Sequence, residues 1–300
     1  MKHLLGIKDL SAEQIISILD SADKMKKNVL EAGKKDSCLS GKSIITLFYE
    51  NSTRTRLSFE LASKYLGATA ANITASGSSV EKGETLEDTG KTIDSMGTDI
   101  VIIRHSASGA PHMLSQYVNA SVVNAGDGMN EHPTQALLDM MTIREKFGKF
   151  EGLKVAIIGD VKHSRVARSD VYALNKLGAD VTLCAPTTLM PTQMEELGAK
   201  VCFDADKAVK DADVVMGLRI QLERQKSGLF PSVREYHKLF GINKRRMNLA
   251  NPDAIVMHPG PVNRGVELAA DIADGPQSVI NTQVTNGVCV RMAVLELLSR

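Results

Sequence analysis

The chain has 300 residues, of which 43% are hydrophobic, enough for one large or two medium domains with a substantial core. A net charge of +1, no tryptophan and 4% aromatics leave no global field for nucleic acid or membrane and few platforms on which bases could stack. No apolar run approaches the ~18 residues of a membrane span, no signal-like stretch follows Met1, and Cys38, Cys184, Cys202 and Cys289 are too scattered for a zinc knuckle or disulfide framework, which fits a reducing cytoplasm.

Residues 11–30 open with the capping box Ser11-x-x-Gln14 and continue with Ile15, Ile16, Leu19, Ala22 and Met25 at helical spacing. Strands and helices then alternate. A strand is predicted at 43–48, a helix to Leu66, a strand at 70–74 and a helix near 85–95. A strand at 100–103, a helix from Pro111 and a strand at 121–124 follow. A long helix is predicted from Pro133 to about Phe147. The pattern restarts with a strand at 154–158, a helix to Leu177, a strand at 180–184 and a helix near 192–197. Strands at 200–203, 214–218 and 254–257 complete it, and the last 20 residues read as a closing helix. Such alternation predicts parallel sheets flanked by helices.

The two halves echo each other. The spacing from Arg54 to Gly67 equals that from Arg165 to Gly178, and each arginine opens a helix after a strand with a serine just before it. One reading is that both αβ units simply share a Leu-Gly-Ala helix stop. The other reading is one anion site per half, at the carboxyl ends of strands, where ligands of such sheets gather. A dinucleotide fold is excluded for the second half, because its first turn, Gly159-Asp160-Val161-Lys162-His163-Ser164, lacks the Gly-x-Gly-x-x-Gly pattern.

Ser52-Thr53-Arg54-Thr55 falls where strand becomes helix. A helix start carries unpaired N–H groups and a positive dipole end, and hydroxyls with a guanidinium complete a seat for a phosphate group. Arg104 ends a strand, which puts it at a sheet's carboxyl edge. In His132-Pro133-Thr134-Gln135, proline takes the first helical position and leaves the imidazole beside the helix start. A helix start disfavours the imidazolium, and a neutral donor there suffices. Arg165, and Arg219 with Gln221 two residues after it, are candidate anion-binding residues of the second half. The polar segment from Arg219 to Tyr236, with Gly228 and Pro231, reads as a lid. The turn His258-Pro259-Gly260-Pro261 predicts a cis Gly260–Pro261 bond.

Ser52-Thr53-Arg54-Thr55-Arg56 resembles the carbamoyl phosphate signature of the aspartate and ornithine carbamoyltransferases. Glu81-Lys82-Gly83-Glu84-Thr85, His132-Pro133-Thr134-Gln135, His163-Ser164-Arg165, Arg219-Ile220-Gln221 and His258-Pro259-Gly260-Pro261 follow in that family's order over nearly the whole chain. The resemblance implies two similar parallel-sheet αβα domains with the active site in the cleft between them. Residues 1–132 would bind carbamoyl phosphate, with a C-terminal helix, 279–300, packing back on them, and 133–278 would bind aspartate. It implies transfer of the carbamoyl group from carbamoyl phosphate to the α-amine of L-aspartate, an early step of pyrimidine synthesis. No cofactor, metal, nucleic acid or membrane is expected.

By that resemblance Ser52, Thr53, Arg54 and Thr55 cradle the phosphate, and Arg104 reaches both phosphate and carbonyl oxygen. Thr55 and His132 join Arg104 on the carbonyl oxygen, and Gln135 accepts from the carbamoyl NH₂. Ser78 and Lys82 enter the neighbouring subunit's site, so the expected assembly is a homotrimer with shared sites. Lys82, Arg165, Arg219, Gln221 and the backbone of Gly260 and Pro261 serve aspartate. Gly260 departs from the Leu or Ala common in the aspartate-type motif, and the His-Cys-Leu-Pro of ornithine enzymes is absent. The alternative is a carbamoyltransferase for another amino acid such as ornithine, whose second amine would want an acid in the pocket. Whether a regulatory chain or a dihydroorotase joins the trimer is left open.

Overall fold

The computed structural model describes residues 1–33, 36–74, 83–221 and 232–300. Contacts divide the chain into two units, residues 1–141 with 284–300, and residues 142–283.

The first unit is built on a four-stranded parallel sheet. Its strands are β1 (Ser43–Phe48), β2 (Thr69–Thr74), β3 (Ile100–His105) and β4 (Ser121–Asp127), in the order β2-β1-β3-β4. β3 begins Ile-Val-Ile-Ile, all four buried, the continuous apolar run of a strand covered on both faces. Edge strand β2, Thr-Ala-Ala-Asn-Ile-Thr, is partly exposed along its length. Helices α1 (Ala12–Met25), α2 (Thr53–Tyr65), α3 (Leu86–Ser95) and α4 (Ala110–Leu114) connect or cover the strands. Leu47, Val101, Ile103 and Val122 of the sheet pack with Ile93 and Leu114 in one apolar cluster. The predicted capping box is present: Ser11 Oγ accepts from Gln14 N and Gln14 Oε1 accepts from Ser11 N. The helical run expected to residue 30 changes character at Lys26, where a π-helical stretch continues to Glu31.

α5 (Pro133–Phe147) starts in the first unit and contains the division between the two. The second unit holds a five-stranded parallel sheet in the order β7-β6-β5-β8-β9. Its strands are β5 (Lys154–Ile158), β6 (Asp180–Cys184), β7 (Lys200–Cys202), β8 (Val214–Gly217) and β9 (Ile255–Met257). Helices α6 (Arg165–Lys176), α7 (Ala205–Val209), α8 (Val233–Phe240), α9 (Lys244–Met247) and α10 (Ala270–Ala273) accompany it. The helix expected near 192–197 is instead two 3₁₀ turns, Thr187–Leu189 and Met194–Leu197. Pro191 separates them, and Gln193 sits at φ 64°, outside helical geometry. The closing helix α11 (Ile280–Leu298) buries Cys289, Val290, Met292, Ala293, Val294 and Leu295, as expected of a helix apolar on most sides.

The internal echo has a structural form. Ser52 caps α2 and Ser164 caps α6, and the helices stop at Gly67 (φ 81°) and Gly178 (φ 82°). Aligned on their caps, however, the arginines differ by one position: Arg165 is the first residue of its helix and Arg54 the second of its own. Among the described residues no helix is long and apolar enough to cross a membrane.

Candidate active site

In the first unit the predicted residues follow three adjacent strands. Phe48, the last residue of β1, is in register with Arg104 of β3, and Tyr49 N–H donates to the Arg104 carbonyl at 2.9 Å. The turn after β1 and the Arg104 side chain are thereby fixed to one sheet edge. Ser52 is extended (φ −156°) and its Oγ accepts the Thr55 N–H at 3.3 Å. Its hydroxyl hydrogen is left to donate to a ligand. Thr53 and Arg54 are exposed at the first turn of α2, and Thr55 is buried behind them. Arg104 Nε lies 3.3 Å from Glu50 Oε2, so a carboxylate holds the guanidinium at the edge.

β4 supplies the third part. Its last residue, Asp127, is fully buried and accepts from Gly109 N (2.7 Å), Asn124 Nδ2 (2.8 Å) and Glu131 N (3.1 Å). These bonds shape the turn that delivers His132 to the start of α5. The His132 carbonyl accepts from Gln135 N at 3.0 Å, and the His132 side chain is buried. Gln135 Nε2 donates to both oxygens of buried Asp139, at 3.1 and 3.2 Å. An ionised carboxylate only accepts, so the Gln135 amide oxygen is the atom turned away from it. Among the described residues nothing donates to that oxygen.

His105, just after Arg104, takes the Ala107 N–H on Nδ1 at 2.9 Å. Burial holds its pKa below the usual histidine value, against the pull of Glu50 and Asp127. Burial also pushes the Tyr49 phenol up, and the Tyr49 ring centroid is 4.7 Å from that of His105.

In the second unit the candidates again follow adjacent strands, β5, β8 and β9. Beyond β5, Asp160 is fully buried and its carboxylate binds His163 Nδ1 at 2.8 Å and His163 N at 3.2 Å. Ser164 then caps α6 by accepting the Ala167 N–H at 3.2 Å, and Arg165 is buried at the first helical position. Beyond β8, Gln221 donates through Nε2 to the His163 carbonyl at 3.1 Å and through its backbone to Asp160 Oδ2 at 3.4 Å. The segments carrying Arg165 and Arg219 are thus tied together through Asp160 and His163. Beyond β9, His258 Nδ1 accepts the Gly260 N–H at 2.8 Å, which leaves Nε2 as the protonated nitrogen facing Glu267 Oε1 at 3.2 Å. Glu267 Oε1 also takes the Asn263 N–H at 2.6 Å, closing the turn. The Gly260–Pro261 bond is cis, as the sequence predicts. Gly260 adopts φ 71°, in the left-handed region that favours glycine.

Ser78, Lys82 and most of the expected lid, 222–231, lie outside the described residues. Sequence reasoning did not single out Glu50, Asp139, Asp160 or Glu267, the four carboxylates that hold the expected site residues. Asp139 carries a local signal, one helical turn after Gln135, and Asp160 stands three residues before His163; Glu50 and Glu267 carry none.

A family model described as aspartate/ornithine carbamoyltransferase, carbamoyl-P binding domain, matches residues 2–145. A second, the Asp/Orn binding domain of the same family, matches residues 151–298. The chain is 66% identical over 299 residues to an aspartate carbamoyltransferase catalytic subunit of Ruminiclostridium cellulolyticum, covering 100% of this chain and 96% of the relative. Among solved structures it is similar to the aspartate transcarbamoylase of Trypanosoma cruzi in complex with carbamoyl aspartate and phosphate. That match has 32% identity and a TM-score of 0.90, and covers 98% of this chain and 95% of the other. It is also similar to the ornithine carbamoyltransferase of Pyrococcus furiosus, at 35% identity, TM-score 0.88, and 99% and 97% coverage.

Proposed function

Since the chain belongs to the aspartate/ornithine carbamoyltransferase family, we infer that it transfers the carbamoyl group of carbamoyl phosphate to the α-amine of L-aspartate, giving N-carbamoyl-L-aspartate and phosphate. The observation that carries the donor half is the Ser52–Thr55 helix start, which follows the β1 residue, Phe48, that is in register with Arg104. It offers helix N–H groups, hydroxyls and two guanidinium groups to one phosphate.

The amine nitrogen attacks the carbamoyl carbon, and the bond from that carbon to the phosphate ester oxygen breaks. Ser52, Thr53, Arg54 and Thr55 neutralise the departing phosphate. Arg104, Thr55 and His132 donate to the carbonyl oxygen as negative charge grows on it, and Gln135 accepts from the NH₂. The departing phosphate takes the amine proton, so no side chain need serve as the base. Arg165 and Arg219 pair with the two carboxylates of aspartate, with Gln221 beside them, and the carbonyls of the Gly260–Pro261 turn accept from its amine. Ornithine has one carboxylate and would leave one arginine without a counter-charge. Residues 1–132, with 279–300, form the carbamoyl phosphate side and 133–278 the aspartate side. Ser78 and Lys82 act in the neighbouring subunit's site, so the active form is a homotrimer. The chain's four free cysteines accord with a cytoplasmic location.

The test is a transfer assay on purified protein with carbamoyl phosphate and either L-aspartate or L-ornithine. Carbamoyl-aspartate alone is the expected product. Citrulline would overturn the acceptor assignment while leaving the phosphate half standing.

A further inference from the structure

Buried charge beneath the first-unit site has no part in the reaction as derived so far. Asp139 is fully buried on α5, one turn below Gln135, and takes the Gln135 NH₂ on both oxygens. Arg291 of α11 is also buried, and its guanidinium lies 5.1 Å from the centre of the Phe59 ring. Phe59 sits one turn beyond Thr55 on α2. Burial brings the Arg291 pKa down to about 10, and the charge of Asp139 opposes that fall. Arg291 is therefore cationic at neutral pH, a positive charge close enough for Asp139 to act on it.

We propose that Asp139 is a positioning residue that sets selectivity for the carbamoyl group, by locking the Gln135 amide with its oxygen toward the substrate. This rests on the reading that Gln135 faces the carbamoyl NH₂. A glutamine amide can present either its oxygen or its NH₂, and the two ends are nearly isosteric. With the NH₂ held by a carboxylate, only the acceptor end is presented. The site then rewards a ligand group that donates and penalises one that cannot. Acetyl phosphate is the discriminating probe. It keeps the phosphate and the carbonyl oxygen of carbamoyl phosphate and replaces the NH₂ with a methyl group. A site that must leave a buried acceptor unpaired rejects such an analogue strongly.

The experiment compares kcat/KM for carbamoyl phosphate with the competitive inhibition constants of acetyl phosphate and inorganic phosphate. It uses the wild-type trimer, Asp139→Asn, Asp139→Glu and Gln135→Leu. Asparagine can donate as well as accept, so in Asp139→Asn the Gln135 amide is no longer fixed. Preference for carbamoyl over acetyl phosphate should fall about 10-fold or more, with inhibition by acetyl phosphate and phosphate moving less than about 2-fold. Asp139→Glu keeps an obligate acceptor and should recover much of the preference. A purely structural role for Asp139 would weaken all three ligands together, and that outcome overturns the proposal. If Asp139→Asn does not fold, Asp139→Asn/Arg291→Met removes both buried charges and carries the same expectation. Gln135→Leu separates the two layers. If it leaves the preference intact, the assignment of Gln135 itself is wrong. If it abolishes the preference and Asp139→Asn does not, only the role of Asp139 is wrong.

Discussion

The carboxylate of Glu131 accepts the backbone N–H of Ile7 at 2.7 Å, joining positions 124 residues apart. It also takes the Lys8 N–H at 3.2 Å, and a Cβ placed on Gly6 would collide with Glu131 Oε1. Gly6 is therefore glycine because the carboxylate occupies the space of a side chain. Glu131 is the residue before His132, so the clasp that ties down the N-terminal segment also fixes the start of α5. Glu131→Ala leaves two N–H groups without their charged acceptor and should cost about 2–4 kcal/mol. Gly6→Ala should cost a comparable amount by pushing the carboxylate aside. Urea unfolding of both variants, with KM for carbamoyl phosphate on the folded fraction, checks this. Stability within about 0.5 kcal/mol of wild type for Glu131→Ala would show that the clasp contributes nothing.

Arg54 and Lys82 yield a prediction about assembly. Arg54→Ala removes a guanidinium from the first turn of α2, where it is exposed and holds no part of the core together. Turnover should fall by roughly 10²–10³-fold or more with unfolding unchanged. Lys82→Ala should be similarly inactive. If Lys82 acts in a neighbour's site, mixed trimers of the two variants contain some sites with both residues intact, and activity should return. Verified mixed trimers with no recovery would count against shared sites.

His3 and His105 make the fold acid-sensitive. His3 Nδ1 accepts the Val122 N–H at 3.1 Å, as His105 Nδ1 accepts that of Ala107. Burial lowers both pKa values from 6.5, aided at His3 by Lys2 and opposed at His105 by Glu50 and Asp127. Below pH 6.5 the unfolded chain therefore binds protons that the folded chain refuses, and stability falls as pH falls until the folded-state values are passed. His105→Asn keeps an acceptor near Nδ1 but cannot titrate. Its urea midpoint should drop less than that of the wild type between pH 7 and 5.5. Equal drops would remove His105 as a cause.

Much of this architecture is legible in the sequence because local and global signals agree. Ser11-x-x-Gln14, Ser52 and Ser164 mark helix starts, and Gly67 and Gly178 mark stops. Apolar β-branched runs mark the buried strands. The errors fall where length or context decides. Residues 192–197 carry Met194 and Leu197 at helical spacing, yet Pro191 and Gly198 leave room for only one tight turn. Helices α7, α9 and α10 are too brief for periodicity to show, and α8 is missed because it begins inside the polar segment read as a lid, where Tyr236 is buried. In the site, the residues that would touch substrate stand in compact motifs. Those that hold them stand outside the motifs: Glu50 meets Arg104 and Glu267 braces His258 only once the chain has folded.

Arg246 shows how such a long-range brace can be tested. It is buried on α9, and its guanidinium donates to the carbonyls of Lys238 (3.0 Å), Leu239 (2.7 Å) and Gly241 (2.5 Å) at the end of α8. Its Nε donates to Asp206 at 2.8 Å, and Arg245 adds two bonds at 2.7 Å to the same carboxylate. The last carbonyls of a helix have no partner within it, so this arginine caps α8 from another element. Arg246→Met keeps much of the volume and removes every donor. It leaves three carbonyls short of a partner and should cost about 3 kcal/mol or more. Arg246→Lys keeps the charge but replaces a planar fork with a single ammonium, and should recover less than half of the loss. Recovery near the wild-type urea midpoint by lysine would mean that charge beside Asp206, and not the capping geometry, is what stabilises this corner.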